Sequence, residues 1–202
     1  MPAFTARTTQ RLRAGSLLLG LALWGGAPGA SAEPVDDLGR RLPIESGMKC
    51  YSQAYDKAHL AAHPKQRITS IALVIAPMIV QGHDRYPAWP YLFATRLKGE
   101  KGLFWQGGQC EFEGGEFNCS VDCDGGHVTL AAPEAGPGLH MELRKTFVLQ
   151  GGCGDRRKVV YLSRTIEEPS YTLEASDMKM CRSAFRASRK ASEALREIGG
   201  MR

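Results

Sequence analysis

Residues Cys110–Leu130 read CEFEGGEFNCSVDCDGGHVTL, and this stretch decides the fold. At its centre Glu113-Gly114-Gly115-Glu116 sets two glycines between runs of alternating polarity. A two-residue type I′ turn needs positive φ at both central residues, which glycine adopts without a Cβ clash. That turn fixes a register: Glu113 opposes Glu116, Phe112 opposes Phe117, Glu111 opposes Asn118 and Cys110 opposes Cys119. Phe112, Phe117 and both cysteines then share one face, and the polar residues share the other. Opposed pairs alternate between hydrogen-bonded and non-hydrogen-bonded, so a bonded turn-flanking pair makes Cys110 and Cys119 non-bonded. Their Cα atoms would lie about 4.5 Å apart, within disulfide reach. The apolar face continues through Val121 and Cys123. A second turn at Asp124-Gly125-Gly126, centred on either dipeptide, returns Val128 and Leu130 to it.

Period-two alternation extends outward from this hairpin. Ile71, Leu73 and Ile75 alternate with Ser70, Ala72 and Val74; Tyr91, Phe93, Thr95 and Leu97 alternate with Leu92, Ala94, Arg96 and Lys98; Leu139, Met141 and Leu143 alternate with His140, Glu142 and Arg144. Val159 and Tyr161 belong to another short β-rich run. Such runs, bounded by Gly, Pro and Asp, predict a mainly β antiparallel meander forming a barrel or sandwich. Strands over 116–123, 127–132, 139–149 and 157–163 would follow one another as hairpins. Gly107-Gly108, Gly125-Gly126 and Gly151-Gly152 read as turns. Two helices flank the strands. Ser52–Ala62 is expected to be helical, capped by Ser52 and ended ahead of Pro64. A C-terminal amphipathic helix over 178–198 places Cys181, Ala184, Phe185, Ser188, Ala191, Leu195 and Ile198 at helical spacing, with Arg182, Arg186, Arg189, Lys190, Glu193, Arg196 and Glu197 between them. Its apolar face is mostly small, which favours docking on the protein's own sheet over lying on a membrane.

The first 32 residues have the parts of a signal peptide. Arg7, Arg11 and Arg13 precede an apolar run, Ala14–Trp24, and Ala30-Ser31-Ala32 supplies a small-x-small cleavage site. The run is too short to span a bilayer. Residues 33–48 are expected to be a flexible start, and 49–202 a single disulfide-stapled domain. The whole chain carries +5; the three leader arginines account for three of these charges, leaving +2 after cleavage. That gives no basis for nucleic-acid binding. The positive charge is concentrated after residue 177, where seven Lys or Arg face two Glu.

Six cysteines remain after cleavage: Cys50, Cys110, Cys119, Cys123, Cys153 and Cys181. An even count in an exported chain reads as a disulfide framework. The hairpin register pairs Cys110 with Cys119. Meander geometry brings Cys123 and Cys153 to the same end. Cys50 and Cys181 remain, and their bridge would tie the N-terminal helix to the C-terminal one.

Chemistry-bearing motifs are sparse. His59 and His63 share a helix face at i, i+4, but Leu60 stands where a zincin motif needs Glu, and no third ligand is placed. His83-Asp84 is an isolated pair without a nearby nucleophile. Glu111, Glu113 and Glu116 cluster at a hairpin tip rather than in a cleft, and read as solvated charge. No G-x-S-x-G, P-loop or dinucleotide fingerprint occurs, so no cofactor is expected. Tyr86, Trp89, Tyr91, Phe93 and Trp105 form an aromatic-rich region, read either as β-core packing or as the wall of a ligand or partner patch.

The blocks Cys50-Tyr51-Ser52, His59-Leu60-Ala61-Ala62-His63-Pro64 and Cys123-Asp124-Gly125-Gly126 resemble small exported bacterial proteins of uncharacterised function, a likeness that carries no site residues. The expected function is therefore that of a periplasmic or secreted, non-enzymatic β domain binding a partner protein or small ligand. The alternative is a hydrolase or metal-dependent enzyme using His59, His63 or His83. N-terminal sequencing of exported material should begin at Glu33; intact Met1 recovered in the membrane fraction would show that the leader is retained.

Overall fold

The alternation read from the sequence becomes the inside and outside of a closed barrel. The structure, a computed structural model, describes residues 47–81, 86–113, 116–121, 125–133, 136–149, 159–163 and 167–200. In chain order the elements are β1 (Lys49–Ala54), α1 (Lys57–Ala62), β2 (Ile68–Ile75), β3 (Ile79–Gln81), β4 (Tyr86–Leu97), β5 (Phe104–Glu113), β6 (Glu116–Val121), β7 (His127–Ala131), β8 (Leu139–Glu142), β9 (Phe147–Leu149), β10 (Val160–Leu162), β11 (Ser170–Ser176), α2 (Met178–Phe185) and α3 (Arg189–Gly200). Eight strands pair antiparallel in the order β2-β1-β11-β8-β7-β6-β5-β4, and β4 returns to β2. The choice between sandwich and barrel is thus settled by the β2–β4 ladder, which runs from Ile68↔Leu97 to Ile75↔Tyr91. Closure leaves none of these eight strands as a free edge. The short β3 pairs only with the first residues of β4.

An eight-stranded barrel has an interior about wide enough for side chains to fill. Tyr91 and Phe93 of β4, Phe117 of β6, Leu130 of β7, Met141 of β8 and Leu173 of β11 occupy it. The β9–β10 hairpin adds Phe147, Leu149, Val160 and Leu162, with Phe147 edge-on to Phe93 at 5.2 Å between ring centres. Gly108 is one residue this packing demands. It sits within β5, where a Cβ would fall 2.0 Å from the Ser120 carbonyl oxygen and 3.0 Å from the Tyr91 ring. Gly107-Gly108 is therefore a close-approach site inside a strand, not the turn its sequence suggests.

A second apolar cluster lies on the outer wall. Ala72, Val74, Leu92 and Ala94 of β2 and β4 face out and are covered by Cys181 and Phe185 of α2 and by Ala191, Leu195 and Ile198 of α3. The small wall residues let the helices lie close. Burial of Phe185 alone stabilises this contact by about 1.5–3 kcal/mol. The C-terminal helices thus bury Cys181, Phe185, Ala191, Leu195 and Ile198 on the protein's own barrel, while Met180 of α2 stays exposed. Among the described residues no helix is long and apolar enough to cross a membrane.

The hairpin register predicted from Gly114-Gly115 is present in full, from Glu113↔Glu116 to Cys110↔Cys119. The disulfide Cys110–Cys119 forms with Cα atoms 3.8 Å apart. Cys50–Cys181 forms as well. The pair Cys123 and Cys153 lies outside the described residues, as do the leader, the segment before Gly47 and His83.

Several expectations are corrected. Cys50-Tyr51-Ser52 belongs to β1 because its alternate residues continue the barrel, and the helix starts only at Lys57, with Asp56 as N-cap accepting from the His59 amide at 2.7 Å. Cys50–Cys181 accordingly ties a strand, not a helix, to α2. The expected strand 139–149 is two strands: β8 stays in the barrel, while β9 leaves to pair with β10, and β11 takes the place beside β8. The β6–β7 register pairs Cys119 with Val128, so the turn centres earlier than either expected dipeptide. Gly126 is already paired there, its carbonyl accepting from the Val121 amide. At φ +81° it approaches the Thr146 carbonyl where β9 docks. The single C-terminal helix is broken at Arg186-Ala187-Ser188. The Ser188 hydroxyl accepts from the Ala191 amide and starts a second helix, so that both follow the curved wall.

Peptide mapping without reduction should recover bridged Cys50–Cys181 and Cys110–Cys119 peptides, and with them a Cys123–Cys153 peptide. A Cys110–Cys123 or Cys119–Cys153 bridge would show the β5–β6 register to be wrong.

Candidate functional site

Antiparallel alternation sends the β1–β2, β4–β5, β6–β7 and β8–β11 connections to one end of the barrel. Polar side chains gather there. Tyr55, His59 and His63 follow one another at intervals of four along α1 and its flanks, and their rings stack. Tyr55 and His59 are 4.6 Å apart, and His59 and His63 are 4.2 Å apart and within 11° of parallel. His59 Nε2 bonds Gln66 Oε1 at 3.1 Å, an arrangement in which Nε2 carries the proton. The buried Gln66 amide in turn donates to the Ile68 carbonyl at 2.8 Å. His63 Nδ1 faces Glu168 at 3.6 Å.

Beneath this column lies Glu167, whose side chain is fully buried. Its Oε2 accepts from the Arg67 amide at 2.8 Å, and its Oε1 faces Arg67 Nε at 3.5 Å. Glu167 thereby holds the crossover entering β11 against the start of β2. Burial raises its pKa above the ordinary carboxylate value, against the opposing pull of the Arg67 amide, the Arg67 guanidinium and the Ile68 amide; Glu168 adds a smaller upward push. Tyr171 shares this layer. Its hydroxyl is buried without a hydrogen-bond partner among the described residues, and burial, then the charge of Glu167, raises its pKa. Tyr55 is pushed up to about 12 by burial. This end is a polar latch that ties α1, β2 and the crossover into β11 together, and it holds two buried oxygens, Tyr171 Oη and Glu167 Oε1, without a hydrogen-bond partner among the described residues. Stacked imidazoles with Nε2 on Gln66 and Nδ1 towards Glu168 do not converge on a point. Among the described residues no three His, Cys, Asp or Glu side chains are placed to hold a metal.

The aromatic region divides by strand parity. Trp89, Tyr91 and Phe93 point into the barrel and are buried there, so they form no surface patch; Trp105 lies outside, packed against the cluster under the C-terminal helices. Tyr86 pairs with Gln81 at the start of β4. At the hairpin tip, Glu116 is held by both of its oxygens to Arg144 Nη2 at 2.7 and 2.8 Å.

A concave site lies elsewhere among the described residues. Between α2 and α3 runs an open groove of about 620 Å³. Met48, Leu195 and Gly199 line its apolar part, and Arg182, Arg186 and Arg196 bring three guanidiniums to it. Arg182 of α2 and its C-cap Arg186 are one turn apart; Leu195, Arg196 and Gly199 share a face of α3. No ion pair engages these three arginines among the described residues, whereas Arg189, outside the groove, pairs with Glu193 at 3.3 Å. Arginine spacing was visible in the sequence as the polar positions of one long helix. What the sequence did not carry is the break at Arg186-Ala187-Ser188, after which arginines from both sides of the break line one groove.

No family model, no curated protein and no solved structure matches this chain.

Glu167 gives a pH test. Because its folded pKa is raised, the stability linked to its proton is present below the ordinary carboxylate value and is lost as pH rises through the raised one. Relative to Glu167→Gln, which keeps an acceptor for the Arg67 amide, the native chain should lose unfolding free energy over that window. A native curve that rises against the variant there would show that the hydrogen bonds outweigh burial.

Proposed function

We propose that the chain is an exported, non-enzymatic β-barrel domain that binds its ligand or partner on its outer wall, in the groove between α2 and α3. The observation that carries this reading is the groove itself. Its volume of about 620 Å³ falls within the range of ligand pockets, about 300–1,000 Å³, and its wall joins apolar side chains to a few charged ones. The interior supports the same assignment indirectly: large side chains from the strands and the β9–β10 hairpin occupy it. Two disulfides support a chain that folds outside the reducing cytoplasm, and the signal-like leader supports export to the periplasm or beyond.

Gly200 provides the test. It lines the groove, and a Cβ built on it meets nothing within 4 Å, so Gly200→Trp adds bulk at the groove wall at a position where a side chain meets no steric clash at its Cβ. Native mass spectrometry after incubation with cell-envelope extract should show a bound species on the unaltered protein and none on Gly200→Trp, with equal melting temperatures. A bound species retained by Gly200→Trp would refute the groove. Stoichiometric zinc lost on His59→Ala would instead assign the protein to the enzymatic alternative.

A further inference from the structure

We infer that the groove between α2 and α3 recognises a monomeric anionic amphiphile, a phosphate- or carboxylate-headed molecule with a short apolar body. This rests on the groove being the binding site. Three features select the class. First, the charge is concentrated and uncompensated: Arg182, Arg186 and Arg196 line one groove, and none of its described lining residues is acidic. Guanidiniums are planar forks that bind phosphate and carboxylate oxygens in pairs, and three arginines lining one groove suit an oxyanion better than a neutral head. Second, the same wall is apolar where the arginines are not. Met48, Leu195 and Gly199 offer a surface that a bare inorganic anion would leave unused. Third, the groove is concave and of small-molecule volume, while the apolar faces of both helices are buried on β2 and β4. Outside the groove, the large apolar side chain that α2 and α3 expose among the described residues is Met180, too little apolar area to anchor in a bilayer, so a single molecule held in the groove fits better than a membrane surface.

The test uses calorimetry on the full exported chain with octyl phosphate kept below its critical micelle concentration. Octyl phosphate should bind at least about ten-fold more tightly than inorganic phosphate, which lacks the tail, and than octyl glucoside, which lacks the charge. Binding should weaken as salt is raised. The double substitution Arg182→Gln/Arg186→Gln should weaken octyl phosphate binding at least about ten-fold. Arg189→Gln, whose side chain pairs with Glu193 outside the groove, should leave it unchanged. Melting curves establish that each variant folds. Equal affinity for inorganic phosphate or for octyl glucoside, or no effect of the double substitution, overturns the inference. Arginine-dependent sedimentation with phosphatidylglycerol vesicles in the absence of monomer binding also overturns it, in favour of a membrane surface. If octyl phosphate fails while Gly200→Trp still abolishes binding of the extract species, the ligand class is wrong and the groove stands. If Gly200→Trp also changes nothing, both fall.

Discussion

The whole arrangement depends on a seam of three residue pairs. β1 meets β11 at Cys50↔Ser176, Tyr51↔Ala175 and Ser52↔Glu174, joining segments more than 120 positions apart in the chain. Without it the sheet would be open, with long unpaired edges on β1 and β11. The seam is short for what it closes, and other contacts reinforce it. The Ser52 and Ser176 hydroxyls bond each other at 2.8 Å, and Cys50 is bridged to Cys181 in the helix that follows β11. A bridge across more than 100 residues is worth ideally about 4.7 kcal/mol through the unfolded chain's lost entropy. Seam, bridge and helix docking support one another, because α2 can cover β1 and β2 only where β11 delivers it.

The molecule's two polar assemblies differ in physical character. At the α1 end, polar groups are buried and hold one another: Gln66 bonds His59 and the Ile68 carbonyl, and Glu167 bonds the Arg67 amide. Such networks position chain segments, and the oxygens left without a hydrogen bond among the described residues, Tyr171 Oη and Glu167 Oε1, are buried beneath them. In the C-terminal groove the charged groups are exposed and unengaged among the described residues, and they border apolar surface. A binding site needs that second condition: donors with unspent hydrogen-bonding capacity, on a wall that a ligand can dehydrate.

Local signals made much of the fold legible in the sequence. The Gly114-Gly115 turn set register, facing and one disulfide together, since period-two alternation ties all three to a single turn. The inward residues of β2, β4, β7 and β8 were visible for the same reason. What the sequence did not reveal depends on contacts distant along the chain. Cys50-Tyr51-Ser52 follows a short polar segment and precedes helix-favouring residues, so only pairing with β2 and β11 makes it a strand. The departure of β9 from the barrel has no periodic signature: Phe147 and Leu149 continue the alternation of Leu139 and Met141. Gly108 looked like a turn because glycine pairs usually are turns, and its true reason is the Tyr91 ring and the Ser120 carbonyl from neighbouring strands. The groove depends on a helix break that composition barely marks, and Glu167 on a crossover that no motif announces.

The Cys50–Cys181 bridge also imposes an order of events on a chain emerging from its N-terminus. The two cysteines are separated by 131 positions, so in a chain that crosses a membrane N-terminus first Cys50 reaches the oxidising side well before Cys181. Throughout that interval the first strand has a reactive thiol and lacks the last strand as its partner. Cys110 and Cys119 emerge meanwhile, only nine positions apart across a tight turn, and ring closure over so short a span is fast. A union of these two neighbours takes two competing thiols out of reach of Cys50, so the short hairpin bridge favours the distant one, and the barrel is closed by strands from the two ends of the domain.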